Sequence, residues 1–211
     1  MGIYKDMIYP RLWLAMQYVI GGGVAKRKLN LLQYQGQKRV AEVGCSFGVI
    51  SKVFRDKPCE YLGVDVDKDT ISFAEKTYRR YPGMHFIQED FLNLDKNTYQ
   101  FDLIIFSCLI HHIDTPLLKK FLDKSAELLA PGGSLFILDY AVPEKPSWLE
   151  SLFINMDQGK FIRPYDECLA ILNNVESLEI SENNVYPLSG SPLPWPIIAH
   201  VFCAVMKVKE L

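Results

Sequence analysis

A buried apolar run that ends in a glycine turn is the feature that most limits what this chain can fold into. The run Val40–Val43 leads into the turn Gly44–Gly48, and a stretch of helical composition follows. Gly44 permits a backbone bend that a Cβ would resist, and it lets a ligand approach the main chain closely. A helix starting there presents unpaired N–H groups at the same place. The unit therefore predicts a nucleotide-like ligand at the carboxyl edge of a parallel sheet.

Short apolar runs and helical stretches alternate along the rest of the chain. Such alternation is typical of βαβ units, whose right-handed crossovers place helices on both faces of a parallel sheet. The predicted strands are Arg39–Val43, Tyr61–Val66, His85–Gln88, Asp102–Ser107 and Ser134–Tyr140, and the predicted helices are Gly48–Arg55, Asp69–Tyr81, Thr115–Leu129 and Pro164–Asn174. Two later runs, Leu178–Tyr186 and Ile197–Val208, flank a proline-rich turn and predict an antiparallel hairpin. The fold class is α/β, a Rossmann-like, mostly parallel sheet with helices on both faces and this C-terminal hairpin at its edge.

The length of 211 residues suits one domain with an extension at its start. We expect a helical N-terminal extension over residues 1–38, a ligand-binding domain over residues 39–211, and a substrate lid over residues 141–163. The apolar stretch from Leu12 to Ala25 is too short to span a bilayer. It predicts an amphipathic helix packed on the domain, and the alternative is a peripheral membrane contact.

Charge and cysteine content exclude several classes of function. With 23 basic and 25 acidic residues, the chain has no basic field that would gather nucleic acid. Its five cysteines form no CxxC pair, so no zinc site or disulfide framework is expected, and the cytoplasm is the expected compartment. No trio of His, Cys or carboxylate residues has metal-ligand spacing in the sequence, and we expect no metal.

The glycine turn departs from two common nucleotide-binding motifs. The dinucleotide fingerprint G-x-G-x-x-G requires glycine where Ser46 and Val49 stand, and no Gly-Lys-Ser/Thr follows as in a P-loop. Glu42, Gly44 and Gly48 instead resemble motif I, E/D-x-G-x-G-x-G, of the class I S-adenosylmethionine-dependent methyltransferases. Ser46 stands at the middle glycine of that motif.

Further segments resemble the same family in order and spacing, so that the resemblance covers about residues 38–140. They are Gly63–Asp67 after the second strand, Gln88–Phe91 after the third, Ser107–Ile113 with its paired histidines after the fourth, and Leu128–Leu135, which is similar to the family's LKPGG-x-L turn. In the family, the acid matching Asp65 accepts hydrogen bonds from the ribose hydroxyls. The acid matching Asp90 meets the adenine amino group, and the backbone at Phe91 meets the adenine ring.

The resemblance implies S-adenosyl-L-methionine as cofactor, S-adenosyl-L-homocysteine as product, and methyl transfer to a small, partly apolar molecule. The cofactor-binding residues that we expect are Glu42, Gly44, Cys45, Ser46, Gly48, Asp65, Val66, Asp90, Phe91 and Ser107. His111 and His112 are candidate catalytic bases, and the alternative for either is a structural hydrogen bond. Aromatic side chains outside the core sheet are candidate acceptor contacts, namely Tyr4, Tyr9, Tyr140 and Trp148. Arg163 is a candidate for reading an anionic group of the acceptor, or a solvated surface residue.

Two other functions stay open at this stage. One is a regulatory or scaffold protein that binds S-adenosylmethionine or S-adenosylhomocysteine without transferring a methyl group. The other is a lipid or quinone methyltransferase at a membrane surface, which the apolar N-terminal stretch suggests. Nucleic-acid methylation is disfavoured, because Ser107–Ile110 stands where those enzymes carry an Asn/Asp-Pro-Pro-Tyr/Phe tetrad.

Overall fold

A seven-stranded sheet forms the centre of the computed structural model, which describes residues 23–157, 159–189 and 197–209. Its order is β3-β2-β1-β4-β5-β7-β6. The strands are β1 (Arg39–Val43), β2 (Glu60–Asp65), β3 (Met84–Gln88), β4 (Phe101–Ser107), β5 (Leu129–Tyr140), β6 (Leu178–Ser189) and β7 (Ile197–Val208). The first five pair in parallel, and β7 lies antiparallel between β5 and β6. The predicted Rossmann-like class with a C-terminal antiparallel hairpin is confirmed.

Within the described residues, five helices connect or flank these strands. They are α1 (Gly23–Leu32), α2 (Lys68–Tyr78), α3 (Thr115–Leu128), α4 (Trp148–Met156) and α5 (Tyr165–Asn173), and 3-10 turns lie at Ser51–Val53, Phe91–Asn93 and Ile110–His112. Aspartates cap α2 and α3: the Asp67 carboxylate accepts from the N–H groups of Asp69 and Thr70, and Asp114 accepts from Leu117. These caps set the start of each helix because they satisfy amides that have no partner within the helix.

Two predicted elements differ from the structure. The helix expected at Gly48–Arg55 is only the 3-10 turn at Ser51–Val53. Gly48 has a φ of +74°, and its carbonyl accepts from the Tyr78 hydroxyl, so a regular helix does not start there. The strand β5 starts at Leu129 rather than Ser134, because the segment around Pro131 forms an irregularity in its pairing with β4.

The sheet is buried on both faces, and alternate residues of β4 show this directly. Leu103 and Ile105 pack with residues of α2, whereas Ile104 and Phe106 pack with residues of α3 and α5. All four are at most 1% exposed. A parallel strand covered on both sides needs such a continuous apolar run. Polar ligand-binding groups are therefore confined to the turns at the carboxyl ends of the strands.

The predicted N-terminal extension contributes α1 to the described structure. The Asn30 side chain donates to the Ser107 hydroxyl at 3.1 Å, and this bond holds α1 at the end of β4. Residues 1–22, with Tyr4, Tyr9 and most of the apolar stretch, lie outside the described residues. None of the helices within the described ranges has the length and hydropathy needed to cross a bilayer.

A substitution at Gly63 tests the packing between β2 and its neighbours. A Cβ there would lie 2.5 Å from Cδ1 of Phe86 and 2.9 Å from Sγ of Cys45. We expect Gly63→Ala to lower the free energy of unfolding by about 1–3 kcal/mol, measured by urea denaturation, because a close-packed core resists an added methyl group. In a Phe86→Leu background the same change should cost clearly less. An equal cost in both backgrounds would contradict the proposed clash.

Candidate active site

A cavity of about 550 Å³ opens at the carboxyl edge of the parallel strands. This volume lies in the range of small-molecule sites. The residues predicted from the sequence that line it are Glu42, Gly44, Cys45, Ser46, Asp65, Val66, Asp90, Phe91, Ser107, His111, His112 and Tyr140. Gly48 and Trp148 do not line it, and Trp148 is 74% exposed. The fold thus brings together most of a set that is scattered over a hundred residues of sequence.

The turn after β1 has left-handed backbone at each of the three motif positions. The φ angles are +70° at Gly44, +48° at Ser46 and +74° at Gly48. Gly44 also has no room for a side chain, since a Cβ would lie 2.8 Å from Cδ1 of Leu109. This geometry explains why the family motif has three glycines. Ser46 occupies a conformation that costs a non-glycine residue about 1–2 kcal/mol.

The Ser46 hydroxyl is buried in the cavity wall and has no hydrogen-bond partner within the described ranges. A buried hydroxyl without a partner is costly, and a polar ligand atom in the cavity would remove that cost. The strained backbone and the unpartnered oxygen therefore both fit a turn shaped to contact a ligand.

Asp65, at the end of β2, joins two turns. Its Oδ2 accepts from the Ser46 N–H at 2.8 Å, and its Oδ1 accepts from the Asp67 N–H at 2.9 Å. Burial raises the pKa of Asp65, although these hydrogen bonds oppose the rise. The sequence predicted a ribose-binding acid here. In the structure this carboxylate holds the glycine turn in place.

Glu42 is buried at the end of β1, and only 3% of it is exposed. Its Oε2 accepts hydrogen bonds from the hydroxyls of Ser51 and Tyr61. Burial raises the pKa of Glu42 to about 7, against the opposing effect of those two hydroxyls. No sequence motif indicates the Tyr61 partner, because Tyr61 belongs to the neighbouring strand.

The turn after β3 forms another part of the wall. Asp90 is exposed and caps the 3-10 turn by accepting from the Leu92 N–H at 2.9 Å. The Phe91 ring is buried against Phe106 and Phe121 and so supports the cavity from beneath. Glu89 also lines the cavity and was missed by the sequence analysis. Val66 is 68% exposed at the mouth, where it offers an apolar surface.

His111 is held between two carboxylates. Its Nδ1 lies 2.6 Å from Oδ1 of Asp139, and its Nε2 lies 3.4 Å from Oδ1 of Asp157. Burial alone would lower the pKa of His111, but the two carboxylates outweigh it and raise the pKa to about 10. Since both ring nitrogens face acids, this geometry favours a fixed imidazolium over a base that accepts a proton.

His112 lies beside His111 with ring centroids 4.1 Å apart, and it keeps part of its surface open to the cavity. Partial desolvation, together with the positive charge of His111, lowers its pKa. Of the two histidines, His112 is therefore the one that is neutral near physiological pH and able to accept a proton.

Three potential metal ligands meet in this region, although sequence spacing predicted none. The nitrogen and oxygen atoms of His111, His112 and Asp157 lie within 4.8 Å of one another. Sequence spacing does not reveal this trio, because Asp157 comes from a distant segment. Both nitrogens of His111 already face carboxylates, so we interpret the group as a hydrogen-bonded cluster.

Arg163 has neither of the two roles expected from the sequence. It is only 6% exposed, and its guanidinium donates to the carbonyls of Ile110, Phe161 and Ile113. It therefore fixes the turn that carries the histidines. Tyr140 donates to Asp157 at 2.8 Å and so belongs to the same network.

Residues 40–133 match the family model described as Methyltransferase domain. The solved structure of the N-methyltransferase NodS from Bradyrhizobium japonicum WM9 with S-adenosyl-L-homocysteine has a TM-score of 0.71 to this chain at 17% identity, and the match covers 99% of this chain and 97% of that one. Residues 40–133 are therefore similar to a methyltransferase domain, and the likeness to NodS shows a shared fold.

The curated relatives that this chain matches are named for different acceptors. The chain is 28% identical to the fatty-acid O-methyltransferase of Mycolicibacterium smegmatis over 158 residues, which are 71% of this chain and 56% of that protein. It is 24% identical to the phosphoethanolamine N-methyltransferase of Plasmodium falciparum over 174 residues, which are 78% of this chain and 65% of that protein. The chain thus spans less than two thirds of either relative.

Substitutions at Ser46 test the backbone strain in the glycine turn. Ser46→Gly and Ser46→Ala both remove the hydroxyl, but only glycine adopts the left-handed backbone without steric cost. We expect the glycine variant to be about 1 kcal/mol more stable than the alanine variant in urea denaturation. Equal stabilities would show that the turn relaxes to another backbone conformation.

The charge on His111 predicts a pH dependence of stability. Its pKa is raised from 6.5 to about 10 in the folded state, so the stability it supplies is complete below about pH 6.5 and is lost as the pH rises towards 10. The stability advantage of the wild type over His111→Gln should shrink by about 2 kcal/mol between about pH 6 and pH 9. His112→Gln serves as the control, because the lowered pKa of His112 gives the opposite sign. A constant advantage of wild type over His111→Gln would contradict the fixed imidazolium.

Proposed function

We propose that this protein transfers a methyl group from S-adenosylmethionine to a small, partly apolar acceptor. One observation carries the proposal: a single cavity is lined at one end by the glycine turn and Asp65, and at the other by His112, Tyr140 and apolar side chains. A continuous cavity of this kind lets two molecules meet, which a displacement reaction requires.

The residues at the first end fit the cofactor. Ser46 offers a buried hydroxyl without a partner in the described ranges, and Gly44 lines the cavity beside it. We expect Glu42 and the glycine turn to hold the amino-acid part, Asp65 the ribose, and Asp90 with the Phe91 backbone the adenine. When bound, the cofactor supplies an activated methyl group on a sulfonium, so the protein has mainly to align the partners.

The second end suits an acceptor with an apolar body. The apolar lining of the whole cavity includes Ile113, Leu117 and Phe121. The relatives named above methylate a fatty acid and an ethanolamine phosphate, so the family relation leaves the attacking atom open. Where that atom carries a proton, His112 is the residue that we expect to take it.

We infer that residues 141–163 cover the acceptor end of the cavity. The segment contains α4, and Asp157 at the end of this helix lines the cavity while bonded to Tyr140. His200 of β7 pairs with Glu150 of α4 at 2.6 Å, which ties the segment to the sheet.

Calorimetry with S-adenosylhomocysteine, followed by turnover assays with mass detection, tests the proposal. The acceptor panel should contain carboxylic acids, phenols, thiols and amines with apolar bodies. Saturable cofactor binding with methylation of one acceptor class is the expected result. Binding without turnover would favour a regulatory protein, and absence of binding would overturn the proposal.

The ribose assignment predicts the effect of changes at Asp65. We expect Asp65→Ala to weaken S-adenosylmethionine binding at least about tenfold in calorimetry, because charge-assisted hydrogen bonds are lost. Asp69→Ala is a suitable control, since Asp69 lies in the first turn of α2 and does not line the cavity. Thermal denaturation of both variants separates a binding loss from unfolding. Unchanged affinity in a folded Asp65→Ala protein would contradict the assignment.

A further inference from the structure

Lys26 is a buried lysine in the wall of the cavity. It belongs to α1, only 7% of it is exposed, and it lines the cavity together with Cys108, His112 and Tyr140. In the sequence it stands directly before Arg27 and Lys28, and nothing in the local pattern distinguishes it from them. The structure separates it from Lys28, which is exposed on the same helix.

The contacts of Lys26 do not neutralise its charge. Its Nζ lies 5.5 Å from the centroid of the Tyr140 ring, and the neutral side chain of Cys108 lines the same cavity. Burial raises the pKa of the Cys108 thiol, so the thiol stays neutral. Within the described ranges, no carboxylate lies within salt-bridge distance of Lys26.

Other buried charged groups of the described structure have strong partners. Asp139 pairs with His111, Glu150 pairs with His200, and the Arg163 guanidinium donates to three carbonyl groups. A buried ammonium without an anion carries a desolvation cost of several kcal/mol. An anionic ligand that enters the cavity would offset that cost.

The carboxylates near His111 do not neutralise Lys26. Asp139 and Asp157 flank the His111 ring, and neither lies within salt-bridge distance of the Lys26 ammonium group. A carboxylate on the acceptor would pair with Lys26, whereas an amine in its ammonium form would place a second positive charge beside it in a poorly solvated space.

We propose that Lys26 binds the carboxylate of the acceptor, and that the acceptors are carboxylic acids with an apolar body, which become methyl esters. This inference rests on the function proposed above. A carboxylate oxygen forms the new bond to the methyl carbon while the bond from that carbon to sulfur breaks, and the electron pair of that bond stays on sulfur. The products are a neutral ester and a neutral thioether. No proton leaves, so this reaction needs no general base.

Binding of matched acceptors to the protein saturated with S-adenosylhomocysteine tests the proposal separately from turnover. Octanoate and decanoate are the probes, with decanol and decylamine as neutral and cationic analogues, measured by calorimetry near neutral pH. We expect the acids to bind at least about tenfold more tightly than the analogues, as one charge-assisted contact provides. When S-adenosylmethionine is supplied in place of S-adenosylhomocysteine, mass spectrometry should then detect methyl decanoate.

Three variants isolate the role of the ammonium group. Lys26→Met removes the charge at nearly constant volume and should weaken decanoate binding at least about tenfold, while S-adenosylhomocysteine affinity stays within about twofold of wild type. Lys26→Arg should retain part of the decanoate affinity. Lys28→Met, on the exposed side of the same helix, should bind like wild type.

Several outcomes would overturn the carboxylate assignment and leave the methyltransferase proposal intact. They are failure of the acids to bind the S-adenosylhomocysteine complex, equal affinity for acid and alcohol, and unchanged decanoate affinity in Lys26→Met. Loss of S-adenosylhomocysteine binding in the wild type would instead overturn the underlying function. The two failures are therefore distinguishable.

Discussion

The cavity depends on two carboxylates that lie at strand ends. Each of them hydrogen-bonds to the turn that follows the neighbouring strand. Asp65, at the end of β2, binds the backbone of the turn after β1 at Ser46. Asp139, near the end of β5, binds the turn after β4 through the N–H of Ile110 at 2.9 Å and the ring of His111. In both cases the acid and the turn lie on different strands, so the sheet must form before the turns are fixed.

This arrangement separates the two ends of the cavity by their charge. At the cofactor end, buried Glu42 and Asp65 have raised pKa values, because burial disfavours their charged forms. At the acceptor end, Asp139 and Asp157 have lowered pKa values despite burial, because the His111 cation lies between them. A positive ligand group therefore suits the first end. The second end already contains paired charges and one additional cation, Lys26.

Much of the fold could be predicted from the sequence, because the patterns that determine these helices and strands are local. The apolar runs of β1 and β7 and the aspartate caps of α2 and α3 are set by residues within one element, and these elements were predicted closely. The helix predicted at Gly48–Arg55 was wrong because Tyr78, thirty residues away in sequence, takes the Gly48 carbonyl. A local sequence pattern does not predict a hydrogen bond between residues so far apart in the chain.

Site residues that belong to sequence motifs were predicted. Site residues that come together only in the folded chain were missed. The glycine turn, Asp65 and the paired histidines are sequence motifs. The partners that set their chemistry are not: Tyr61 acts on Glu42, and Asp139 and Asp157 act on His111. Lys26 carried no signal, because only packing distinguishes it from Lys28.

Backbone strain at the cavity is consistent with its functional character. Within the described ranges, the non-glycine residues with positive φ are Ser46 at +48° and Cys108 at +55°, and both line the cavity. Each is held from a neighbouring strand, Ser46 by Asp65 and Cys108 by the Leu138 carbonyl at 2.7 Å. Strain of this kind persists only where surrounding bonds over-determine the conformation, and it is common at ligand sites. The same two turns present the buried hydroxyl of Ser46 and the thiol of Cys108 to the cavity, so the strain places polar atoms where two ligands are expected to meet.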